Sequence, residues 1–199
     1  MPEAHIRARV LKALAKPALA DEIARAVITP LTETELRGAL DRMFGPNLVW
    51  IGVYSELPVF GEETLRTWLQ SIPAQAAVIL YRWEKTYGHW NALFMGKHNT
   101  IQFFDSLANS PDTMQKKQTE HEADMLGQGD RRLVHALHHR PAYYNDAMLQ
   151  QPTAQVCGRW VLLRLALRNL DADEFIAFIA SLVRETGQTA DVVVAAATI

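Results

Sequence analysis

Gln150-Gln151-Pro152-Thr153-Ala154-Gln155-Val156-Cys157-Gly158-Arg159-Trp160, followed at once by Val161-Leu-Leu-Arg-Leu-Ala-Leu-Arg-Asn-Leu170, is the stretch whose reading decides the fold. It holds the only cysteine in 199 residues. The apolar run after it has the spacing of a buried helix, which puts Cys157 at or just before a helix N-terminus. Unpaired backbone N–H groups and the positive end of the helix dipole favour an anion there. A thiol in that place is drawn towards the thiolate, the nucleophilic form. Gly158 carries no side chain and leaves the sulfur approachable. On this stretch alone two readings stand. One is a small buried hydrophobe, the common fate of a lone cysteine, and the other is a nucleophile.

Residues upstream favour the second reading. Gly88-His89-Trp90-Asn91-Ala92-Leu93-Phe94 and Ile101-Gln102-Phe103-Phe104-Asp105-Ser106 both read as short apolar strands. The loop between them, with Gly96 and Asn99, suits a hairpin turn. His89 at the start of one strand and Asp105 at the end of the next then share an edge of an antiparallel pair. A carboxylate there holds the tautomer and orientation of the imidazole while the other ring nitrogen faces a thiol. A cysteine nucleophile needs such a base, itself oriented by a third group.

The order His-Trp, then Phe-Asp-Ser with its aspartate 16 residues after the histidine, then Gln shortly before Cys-Gly, resembles the adenovirus maturation protease (adenain) family. Proteases of virophages and Polinton-type elements belong with it, and the SUMO-specific proteases more remotely. Leu48-Val-Trp-Ile-Gly-Val-Tyr-Ser-Glu-Leu-Pro58 is similar to the Gly-aromatic and Leu-Pro segment near the start of that fold, and Thr32-Glu-Thr-Glu-Leu36 to its first helix. The likeness spans residues 32 to 170 with gaps. It implies an α+β fold, papain-like in permuted order, with a central mixed sheet flanked by helices.

Carried over residue by residue, the resemblance implies that Cys157 is the nucleophile, His89 the general base and Asp105 the residue that orients the histidine. Adenain has glutamate in the third role and the SUMO proteases have aspartate. A glutamine side-chain amide joins the Cys157 N–H in an oxyanion hole. Gln150 has the offset and the following proline of the adenain pattern, and Gln151 has the offset of the SUMO proteases. Gln150 is the narrow preference. Trp90 packs beside the catalytic imidazole, a role compatible with an ordinary core aromatic. The implied activity is thiol endopeptidase action on virion precursor proteins after small residues, with no cofactor. Two alternatives stay open: a deconjugating isopeptidase acting on SUMO- or ubiquitin-like tails, and a catalytically silent binding or scaffold relative.

Composition narrows the partners. The 49% hydrophobic content suits one compact core, and the formal net charge of −2 lacks the basic stripe that nucleic acid demands. Adenain is activated by DNA and by a peptide disulfide-linked through a second cysteine, which this chain lacks. Protein and peptide substrates, with an activating peptide as a further candidate, are the expected partners. One cysteine fits a reducing compartment. No apolar leader follows Met-Pro-Glu-Ala-His, and no run approaches the ~18 apolar residues of a membrane span. The expectation is a soluble protein of the host-cell interior or the virion. His135, His138 and His139 lie close together but lack the carboxylate or cysteines of a zinc site, so no metal is expected.

The remaining elements read in chain order. Residues 1 to 31 form a helical extension, two amphipathic helices broken at Pro17, and residues 32 to 199 the protease domain. Thr32 with Glu35 makes a capping box for a helix to about Met43, and Gly45-Pro46-Asn47 a turn. Leu48–Tyr54 reads as a strand, Glu62–Gln70 as a helix and Ala76–Trp83 as an interior strand. Pro111-Asp112 opens a helix through about Met125, with Lys116-Lys117 on a solvated face. Leu133–His139 reads as a strand. Asp171 or Asp173 caps a helix through Val183. The tail from Asp191 to Ile199 leans towards β structure and has no assigned place.

Overall fold

The computed structural model describes residues 2–60, 62–84, 87–113, 118–137 and 142–199. Among these, β1 (Trp50–Val53), β2 (Ala76–Arg82), β3 (Gly88–Met95), β4 (Ile101–Phe104) and β5 (Ala142–Tyr144) form one sheet in that order. The outer pairs β1/β2 and β4/β5 are parallel, and the inner pairs β2/β3 and β3/β4 are antiparallel. This is the expected α+β class with a mixed sheet. The middle strand β3 is buried on both faces, which explains its near-continuous apolar run. Trp90, Ala92 and Phe94 point into one core and Leu93 and Met95 into the other.

The first core is built around α7 (Cys157–Ala166), whose Trp160, Val161, Leu162, Leu163 and Leu165 are buried. Around it stand α1 (Pro2–Leu14), α2 (Ala20–Ile28), α3 (Glu33–Phe44), α8 (Ala172–Thr186) and α9 (Ala190–Thr198). Ile6, Val10, Ala13, Ile23 and Ala26 of α1 and α2 lie in the same core as α7. A 3-10 turn at Pro17–Leu19 separates these two helices, where proline cannot continue the first. Capping boxes open α3 (Thr32 with Glu35) and α8 (Asp171 with Glu174). On the opposite face lie α4 (Glu62–Ser71) and α6 (Arg132–Leu137), with Leu65, Leu69, Leu133 and Leu137 buried against Ile79, Tyr81 and Phe103.

Arg164, in the middle of α7, is 2% exposed. Its guanidinium donates to the carbonyls of Leu167 (3.0 Å) and Leu170 (2.9 Å) and to the Gln102 side chain. It also lies over the rings of Phe94 and Phe175, at 4.8 and 4.9 Å. Burial lowers its pKa to about 10, which leaves it charged at neutral pH. Its donors and two ring faces compensate the desolvation of that charge.

Several expectations are corrected. Leu133 begins no strand: Arg132–Leu137 is the helix α6, and His138 and His139 lie outside the described residues. Leu133, Ala136 and Leu137 are its buried face, at helical rather than strand spacing. Its exposed N–H groups are satisfied from afar. The Arg132 N–H donates to Tyr54 Oη (2.6 Å) and the Val134 N–H to Asp112 Oδ2 (2.7 Å). Pro111-Asp112 is a turn with Asp112 at φ +61°, and the helix α5 (Glu120–Met125) opens later, at a Thr119 capping box. Lys116 and Lys117 fall outside the described residues. The tail is the helix α9 and not a strand. Thr189 caps it, and it packs on α1, α2, α7 and α8, where no strand offers a ladder and only a helix satisfies its own backbone. The β3–β4 connection, by contrast, joins an antiparallel pair as expected, with His98 and Asn99 in the left-handed conformation.

Candidate active site

Cys157 is the first residue of α7, and no side chain caps that helix. The first intrahelical bond that closes it is donated by the Trp160 N–H to the Val156 carbonyl (2.9 Å). The preceding N–H groups of the first turn are therefore orphans of the helix, aimed at whatever stands before it. Cys157 is 7% exposed and is not in a disulfide. At Gly158 an added Cβ would lie 3.3 Å from Leu31 Cβ and 3.5 Å from Trp90 Cδ1. The glycine thus lets the helix start seat tightly between the Leu31 segment and β3.

His89, the second residue of β3, is 2% exposed, and Asp105, just beyind the end of β4, is 1% exposed. The His89 Nε2–H donates to Asp105 Oδ1 at 2.9 Å. That leaves Nδ1 for another partner, and the imidazole also interacts with the Cys157 thiol. Burial opposes the imidazolium, but Asp105 and Cys157 outweigh it and raise His89 to about 10. Burial likewise pushes the Cys157 thiol up, and His89 outweighs it, aided by the Trp90 and Gly158 backbone N–H groups. The net result is a thiol below its ordinary value. Burial also pushes the Asp105 carboxyl up, and the charge and hydrogen bond of His89 with the Leu107 N–H bring it below the usual carboxylate range.

The carboxylate is held from several sides. Oδ1 accepts from the Leu107 N–H (2.7 Å) and Oδ2 from Asn109 Nδ2 (3.1 Å). Ala108, between these donors, sits at φ +58°, a costly conformation for a residue with a Cβ. Asn145 brackets the Asp105 backbone: its Oδ1 accepts the Asp105 N–H (3.1 Å) and its Nδ2 donates to the Asp105 carbonyl (2.6 Å).

The next residue, Ser106, ties this carboxylate to the glutamine segment. Its carbonyl accepts the Leu149 and Gln150 N–H groups, both at 2.9 Å, and its Oγ donates to Gln150 Oε1 at 2.8 Å. Gln150 Nε2 donates to the Ala154 carbonyl at 2.7 Å, which fixes the face of the amide and, among the described residues, leaves its second N–H unspent. Gln150 is buried. Gln151 is exposed, with its backbone N–H on Asp191 Oδ2 (2.9 Å). The aromatic ring stacked over the His89 imidazole belongs to Trp83, with centroids 6.2 Å apart and planes 11° apart. Trp90, the residue after His89, packs against the start of α7.

Sequence reasoning thus did not identify Trp83, Asn109, Asn145 or the linking role of Ser106. Asn109 had a weak signal, since Asp-x-x-x-Asn in a turn can close on itself. Asn145 had none, because 40 residues separate it from its partner. Among the described residues no group of three or more His, Cys, Asp or Glu side chains could hold a metal ion, and no helix is long and apolar enough to cross a membrane.

No protein-family model matches the chain. It is similar to an uncharacterised protein, V9, of the Sputnik virophage, 36% identical over 111 residues that cover 54% of this chain and 63% of that protein. The chain therefore spans less than two thirds of the length of the relative it matches.

Proposed function

We propose that the protein is a thiol endopeptidase of the adenain-like kind. The observation that carries this reading is the His89 imidazole, bonded through Nε2 to Asp105 and interacting with the Cys157 thiol at an uncapped helix N-terminus. In the mechanism, Cys157 passes its proton to His89 and the pair rests as thiolate and imidazolium. The thiolate attacks a peptide carbonyl. The resulting oxyanion is received by the Cys157 N–H and the unspent Gln150 Nε2–H. His89 gives its proton to the leaving amine as the C–N bond breaks, and the acyl group stays on sulfur. His89 then takes a proton from water, the hydroxyl attacks the thioester carbonyl, and the acid leaves as the thiolate is restored.

The substrate class is protein, with virion precursors cut after small residues as the reading that the resemblance implies. The similarity to a virophage protein supports a virus or mobile element as the setting, with the virion or host-cell interior as the place of action. The aspartate at position 105, shared with the SUMO-protease pattern, favours deconjugation of ubiquitin-like tails as the second reading.

The test is labelling with a peptide vinyl sulfone ending in Gly-Gly or Gly-Ala, read by mass spectrometry on wild type, His89→Ala and Cys157→Ser. Fast labelling of Cys157 that collapses in His89→Ala supports the reading. Labelling no faster than that of a free thiol, and indifferent to His89, sinks it. Turnover of a ubiquitin-like C-terminal reporter but not of virion-type peptides selects the second reading.

A further inference from the structure

Asn91 is 0% exposed, yet neither its Oδ1 nor its Nδ2 has a hydrogen-bond partner of ordinary geometry among the described residues. A buried amide with no partner is a standing cost that a leucine of similar volume would remove. Its position suggests what that cost serves. In β3 and β4 the pairing runs Met95 with Ile101, Phe94 with Gln102, Leu93 with Phe103 and Ala92 with Phe104. One step further along this register, Asn91 stands opposite Asp105. Opposite side chains in an antiparallel pair share a face, with Cβ atoms about 5 Å apart. His89 lies two residues along β3 on that face, diagonal to the same aspartate.

We infer that Asn91 is a positioning residue, whose Nδ2–H donates to the Asp105 carboxylate in the working site and holds it towards His89. The inference rests on the Cys157–His89–Asp105 reading above. Asp105 already receives the Leu107 N–H, Asn109 Nδ2 and His89 Nε2, and Asn91 approaches from β3, a side that neither Leu107 nor Asn109 covers. Hydrogen bonds of catalytic groups are often long before substrate binds and tighten afterwards. Asn91 is also among the groups that draw the Asp105 pKa down, after burial, which raises it, and after His89 and Leu107. Among the described residues, the titratable groups that act on the His89 ring are Asp105 and Cys157, and His89 is the one that acts on the thiol. Without the Asn91 donor the carboxylate is free to turn from His89, and that loss of alignment weakens the imidazolium and, through it, the thiolate.

The experiment is the pH dependence of Cys157 alkylation at saturating peptide vinyl sulfone, which fills the substrate site, with the melting temperature of the free protein measured alongside. The proteins are wild type, Asn91→Leu, Asn91→Ala and His89→Ala. In Asn91→Leu the alkylation midpoint is expected to rise by about one pH unit, the scale of one hydrogen bond to a charged group. The melting temperature is expected to hold or rise, because an unpaired buried amide is gone. A residue serving only packing or strand structure gives the reverse, an unmoved midpoint with a lower melting temperature, and that result overturns the inference. Asn91→Ala reads the same midpoint if the leucine variant does not fold. A wild-type midpoint that is ordinary for a thiol and unmoved in His89→Ala overturns the catalytic reading itself. An early wild-type midpoint, lost in His89→Ala and unmoved in both Asn91 variants, overturns this inference alone.

Discussion

Tyr87 Oη donates to Gln155 Oε1 at 2.6 Å, tying the residue before β3 to the residue two before Cys157. Trp83 packs on Tyr87 with centroids 5.4 Å apart and stacks on His89, so one aromatic pair stands beside both the imidazole and the tie. The tie stands two residues from a cysteine that is only 7% exposed, and a role in restricting the thiol is testable. Tyr87→Phe removes one hydrogen bond, an effect of about 2- to 10-fold. Labelling of Cys157 by a bulky maleimide should accelerate by that factor, with a smaller change for iodoacetamide. An unchanged ratio between the two reagents would show that the tie does not control access.

Asp105→Asn keeps the size of the side chain but removes the charge that raises His89. The imidazole is then buried without a carboxylate partner, its pKa falls and the thiolate loses its counter-ion. Vinyl sulfone labelling should drop by roughly 10²- to 10⁴-fold, the usual contribution of a positioned base. Retention of wild-type labelling would remove Asp105 from the mechanism.

Stability should depend on pH at both ends. His89 is raised to about 10, so its contribution is complete below its ordinary value of 6.5 and is lost as pH climbs towards 10. Asp105 is lowered from 3.8, so its contribution is present above that value and is lost as pH falls through the folded pKa. Melting temperature should therefore fall on acidification below about 4; on the alkaline side the Cys157 thiol, lowered from 9.0, offsets the His89 proton at intermediate pH, so the loss is expected between about 9 and 10. In His89→Ala the alkaline slope should flatten. An equal slope in that variant would assign the alkaline loss to other groups.

Gly88 pairs with Arg82, and a Cβ there would lie 2.2 Å from the Tyr81 carbonyl oxygen and 2.9 Å from Arg82 Cα. These are backbone atoms of an interior strand and cannot turn aside as a side chain can. Gly88→Ala should cost at least about 1–3 kcal/mol, measured by urea unfolding, and should slow labelling by displacing His89. Wild-type stability in this variant would contradict the register of β2 and β3.

Asp112 links β2 to α6. It accepts Tyr81 Oη through Oδ1 (2.8 Å) and the Val134 N–H through Oδ2 (2.7 Å). Asp112→Ala uncaps α6 and should lower stability by about 1–2 kcal/mol, with no effect on the alkylation midpoint of Cys157. A shifted midpoint would mean that α6 communicates with the site.

What the chain shows locally is what folds locally. The helical spacing after Cys157, the capping boxes at Thr32 and Asp171 and the pair of strands carrying His89 and Asp105 all depend on residues a few positions apart. Such signals survive in one dimension. The segments whose structure departs from their local pattern depend on distant partners. α6 is started by Tyr54 and Asp112, and the β-branched tail is helical because four helices surround it. The spacing of Leu133, Ala136 and Leu137 was a helical signal that the neighbouring histidines obscured.

By itself, the sequence determined that a lone thiol heads a buried helix, and that a histidine and an aspartate end adjacent strands, because period and turn chemistry are short-range properties. Only the tertiary structure decided which groups surround them. Asn145 reaches the Asp105 backbone across 40 residues and Ser106 reaches Gln150 across 44. Trp83 stacks on the imidazole, and Gln150 rather than Gln151 is buried. Burial and long-range hydrogen bonds are properties of the packed chain: each residue acquires them from neighbours that only folding brings near.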